Sequence, residues 1–98
     1  MIEITERLQR RIRRDFSDAK VAEEVESSLR LMVWKLGPDG MVGVGQERLM
    51  AAVVIDARGD FRRLRDAASL ERLDWRDLLV ATHLADSDYP QYLDQELP

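Results

Sequence analysis

Ninety-eight residues can build one small hydrophobic core but not two. Hydrophobic residues at 45% and charged residues at 35% exclude both a disordered polyampholyte and a membrane-embedded chain, and the longest apolar run, Leu49 to Ile55, falls far short of the ~20 residues that cross a bilayer. The lack of cysteine removes disulfides, thiolate metal sites and thiol nucleophiles together, while a net charge of −4 opposes general attraction to polyphosphate.

The first predicted helix covers about residues 4–15. Ile4, Leu8 and Ile12 recur every four residues along one face, extended by Phe16, and the other face is arginine. Because Arg7, Arg10, Arg11, Arg13 and Arg14 interrupt every apolar segment there, no secretory h-region is read, and a soluble cytoplasmic protein without a membrane partner is expected. Ser17 reads as the N-cap of a second helix, residues 17–36, with Asp18 in its first turn. Val21, Val25, Ser28, Leu29, Met32, Val33 and Leu36 fit the i, i+3, i+4, i+7 pattern over five turns, the strongest periodic signal in the chain.

Gly37-Pro38-Asp39-Gly40 stops that helix with a glycine cap, a residue lacking N–H and a turn-forming pair, and Met41 to Gly45 reads as a short flexible connection. A third helix is predicted over 46–58. Its apolar residues Leu49 to Ile55 surround nearly the whole circumference, which places it in the middle of the fold. Gly59 and Asp60 end it and cap a fourth helix, 60–71, with Phe61, Leu64 and Ala68 on a narrow apolar stripe. Asp74 and Asp77 suggest a capping-box variant for a fifth helix, 74–85, that buries Trp75, Leu78, Leu79 and Thr82. The acidic tail 86–98 holds Tyr89-Pro90, Tyr92, Leu93 and Leu97, enough apolar material to dock a last helical turn. The expectation is an all-α, compact, irregular bundle of about five helices forming a single domain.

Charge is unevenly distributed. Residues 1–14 carry five arginines against Glu3 and Glu6, whereas Ala81 to Pro98 carry four acids and no Lys or Arg. The two ends are complementary and can attract each other within one molecule or between two.

The inventory for catalysis is thin. His83 is the lone histidine, and no serine stands in a nucleophile motif such as G-x-S-x-G. A place beside the unsatisfied carbonyls ending the fifth helix accounts for His83. Glu23 and Glu26 lack the further oxygens a hard cation requires, so they read as a solvated helix face, and Asp86-Ser87-Asp88 reads as a turn. The glycines at 37, 40, 43 and 45 lack the residues of a phosphate loop. No catalytic, cofactor-binding or metal-binding residue is assigned, and a non-enzymatic protein is expected.

Two interaction signals remain. Trp34 points roughly opposite the apolar stripe of the second helix, so either Met41, Val42, Val44 or the tail covers it, or it serves with Leu31 as a partner anchor. The candidate surface is Leu31, Trp34, Tyr89 and Tyr92, facing an unidentified protein or a second copy. The alternative is a nucleic-acid regulator whose Arg10, Arg11, Arg13 and Arg14 contact phosphates. That reading is disfavoured by the acidic chain, by the lack of interleaved aromatics and by nearby acids that can pair with the arginines. A helix-turn-helix around Gly59 fails for a further reason: Arg62 and Arg65 occupy positions where packing needs apolar residues.

Overall fold

A computed structural model describes residues 4–36, 45–69 and 75–97. The predicted stop at 37–40, the connection at 41–44, the end of the fourth helix beyond 69 and the Asp74 cap lie outside these residues, as do the side chains of Leu36 and Trp75. Among the described residues there are six helices and no strand: α1 (Glu6–Asp15), α2 (Ala19–Leu36), α3 (Gln46–Ala57), α4 (Phe61–Ala68), α5 (Trp75–Ala81) and α6 (Tyr89–Glu96). The protein is an all-α bundle.

The central position expected for the third helix is observed, and its composition explains why. Leu49, Met50, Ala51, Ala52, Val53, Val54 and Ala57 of α3 are all buried, and α3 packs against each of the other five helices. Small Ala51 and Ala52 beside branched Val53 and Val54 let neighbours close in from several directions. Around this helix α1 contributes Leu8 and Ile12, α2 contributes Val25, Leu29 and Met32, α4 contributes Leu64, and the α5–α6 region adds Leu84, Leu93 and Leu97.

Helix ends follow the capping chemistry with two corrections. Asp60 caps α4 as expected, its carboxylate accepting from the N–H groups of Arg62 at 3.0 Å and Arg63 at 3.3 Å. At α2, however, the cap is Asp18 rather than Ser17, since the Asp18 carboxylate accepts from Lys20 N–H at 2.9 Å and Val21 N–H at 3.3 Å. Those are the N2 and N3 donors that an N-cap carboxylate reaches, so the helix starts one residue later than Ser17 would allow.

The fifth helix ends at Ala81 instead of Ala85. Leu84 N–H donates to the Leu79 carbonyl at 2.8 Å and His83 N–H to the Val80 carbonyl at 3.2 Å, the paired bonds of a Schellman cap. His83 takes the left-handed position usually given to glycine, with φ 62°, and Leu84 returns to the core fully buried. The tail then forms α6, two turns of helix docked through Leu93 and Leu97.

Candidate functional site

α2 buries Ala22, Val25, Leu29, Met32 and Val33 against the bundle. At 100° per residue, Leu31 and Trp34 each project about 150° from the centre of that stripe, on opposite sides of its antipode. Both are exposed, Trp34 at 72% and Leu31 at 51%. Ser27, Arg30 and Lys35 around them are exposed as well. The indole is therefore left uncovered by the tail; Met41, Val42 and Val44, the other covers considered, lie outside the described residues. Three residues apart on one helix, the two side chains are surface neighbours.

Tyr89 and Tyr92 belong to a different surface. Tyr89 is half-buried at the start of α6, with the Arg48 guanidinium 3.9 Å from its ring centre. The Arg48 Nε also donates to the Leu84 carbonyl at 2.6 Å, so this arginine ties α3 to the α5–α6 turn. Tyr92 is 38% exposed and stacks on His83, with ring centroids 5.7 Å apart. α6 has α3 as its main helical neighbour, whereas α2 packs against α1, α3 and α4. The four candidate residues thus form two pairs rather than one patch. Val80, 65% exposed on α5 and three residues from His83, is a further exposed apolar side chain, one that the sequence reading missed. Its signal was its place about 150° around the helix from Leu78, Leu79 and Thr82.

The arginine run is distributed between the core and the surface. Arg7, Arg10, Arg11 and Arg14 line a depression of about 180 Å³ on α1. Arg7 reaches Glu47 on α3 and Asp94 on α6, the latter at 2.7 Å. Glu47 also accepts the hydroxyl hydrogen bond of Thr5, which diverts that threonine from capping its own helix. Arg11 is buried and bridges Asp15 at 2.8 Å and Glu96 at 2.7 Å, donating in addition to the Glu96 main-chain carbonyl. Arg10 lies 3.9 Å from Glu6, Arg14 is exposed 3.3 Å from Asp15, and Arg13 is exposed. The complementary ends of the chain meet within one molecule, and two of the arginines hold them together.

Ionisation follows these contacts. The Arg7 guanidinium is pushed above its ordinary range, first by its bond to Glu47 and then by Asp94. For Arg11 burial acts against the charge, but Glu96 and Asp15 outweigh it and the net direction is upward. Glu47 is held below the usual carboxylate value because Arg7 bonds its charged form, with burial opposing and Thr5 assisting. Among the described residues no group of three or more His, Asp or Glu side chains is arranged to hold a metal ion. No described helix is long and apolar enough to cross a membrane. No protein-family model, curated protein or solved structure matches this chain.

Proposed function

We propose that this chain is a cytoplasmic, non-enzymatic helical interaction protein whose contact surface centres on Leu31 and Trp34. The observation that carries this reading is the 72% exposure of Trp34 beside a half-exposed leucine, on the one face of α2 that buries nothing. Covering an indole is worth roughly 3 kcal/mol or more, and a tryptophan flanked by aliphatic and charged neighbours is a frequent energetic anchor of interfaces. The phosphate reading of Arg10, Arg11, Arg13 and Arg14 has weaker support, because Arg11 is buried at 9% exposure and already holds two acids.

Trp34→Ala tests the proposal. The variant should keep the wild-type circular dichroism while losing association, read both as oligomeric mass and as partners captured from native cytoplasm and identified by mass spectrometry. Association unchanged in both readouts would overturn the proposal. Steep, salt-sensitive binding in gel-shift titrations at low salt would favour the arginine reading instead.

A further inference from the structure

We propose that the partner on this face is a second copy of the chain, with the two α2 helices lying antiparallel. This rests on reading Leu31 and Trp34 as the contact surface and goes on to name what covers them. Exposed Glu24, Ser27, Leu31 and Trp34 follow one another at spacings of three, four and three residues, the 3.5-residue period that keeps a seam facing a partner helix.

Charge then selects the direction. Lys20 opens the exposed face, Glu23 and the seam's own Glu24 follow it, and Arg30 and Lys35 occupy the second half, all five exposed. Of these charges only Lys35, in the last turn, sits where the dipole of α2 favours it. A parallel pair would set Glu24 against Glu24 and Lys35 against Lys35; an antiparallel pair can set Glu24 against Lys35 twice and opposes the two dipoles favourably.

One register satisfies both features. With the two-fold axis between Leu29 and Arg30, Lys35 comes level with Glu24 of the second copy on the same flank of the seam, and the contact is repeated by symmetry. Trp34 then falls between Glu23 and Ser27 of the other helix, where the small Ser27 side chain leaves room for the indole. The two Leu31 side chains lie about 4.5 Å apart along the axis, close to the two-fold.

Sedimentation equilibrium of the full chain over micromolar to millimolar concentrations tests the pairing. The wild type should dimerise, and Trp34→Ala should weaken the dimer at least tenfold. Glu24→Lys and Lys35→Glu should each weaken it about tenfold, the double variant should recover it, and an equimolar mixture of the two single variants should form a heterodimer tighter than either homodimer. A double variant as weak as the singles overturns this register. A wild type that stays monomeric, but loses a heterologous partner on Trp34→Ala, overturns self-pairing while leaving the contact surface standing. A dimer that Trp34→Ala leaves intact overturns both.

Discussion

The seam between α1 and α6 and the outer face of α2 are both rich in charge, yet they end in opposite states. At the seam, Arg7 and Arg11 meet Glu47, Asp94, Asp15 and Glu96, while Leu93 and Leu97 seal the contact beneath. On the outer face of α2 the charged residues stand in solvent beside an indole that is 72% exposed. The difference shows that a conspicuous run of like charge need not face outward. Here part of the run completes the fold, and the surface left for a partner is the apolar one.

The sharpest way to break this contrast is to remove Arg11. Arg11→Ala takes from Asp15, 13% exposed, its 2.8 Å ion pair, leaves it the longer contact to Arg14, and deprives the Glu96 carbonyl of a donor. Deleting one partner of a largely buried pair should cost about 2–3 kcal/mol in urea denaturation, and a loss under about 0.5 kcal/mol would show that the seam contributes little.

Glu47→Gln should have a smaller effect, about 1 kcal/mol at pH 7, and a pH signature. Arg7 and Thr5 hold the Glu47 carboxyl below its ordinary value of 4.5, so the folded protein binds that proton less tightly than the unfolded chain. The stabilisation is complete above 4.5 and is lost as pH falls through the lowered value. Thermal melts between pH 7 and 3 should show the wild type losing stability more steeply than Glu47→Gln in the acid limb; parallel curves would refute the assignment. The smallest effect on stability belongs to the other region. Trp34→Gln should change the urea midpoint, measured at protein concentrations too low for pairing, by less than about 0.5 kcal/mol in free-energy terms, since the side chain supports nothing beneath it. A larger loss would mean that the indole is part of the core.

How much of this was readable from the chain depended on whether a feature was local. The α2 stripe, the apolar circumference of α3 and the Asp60 cap are written within one or two turns, and each appears in the structure. The α2 cap was ambiguous because Ser17 and Asp18 are adjacent residues of similar capping ability. The end of α5 was misplaced because His83 adopts a backbone conformation that its identity does not announce. Burial of Arg11 did have a signal, since it stands three residues after Leu8 and seven after Ile4, on their side of the helix. For Arg7 the complementary charge of the two ends pointed toward the region of Asp94, 87 residues away, without selecting it, whereas Glu47, 40 residues away, had no signal. Trp34 was legible as outward-pointing, whereas the separation of Tyr89 and Tyr92 from it required knowing which helices are neighbours.

The Arg7–Asp94 contact also fixes the order of cause and effect in closing the chain. Bringing together two residues 87 positions apart in an open polymer costs about 4 kcal/mol of loop-closure entropy, by the logarithmic law for flexible loops. An ion pair as exposed as this one, with Asp94 72% accessible, returns at most about 1 kcal/mol. Such a bond cannot draw the termini together. It forms because the intervening helices have already shortened the path between them, so its presence reports an assembled bundle.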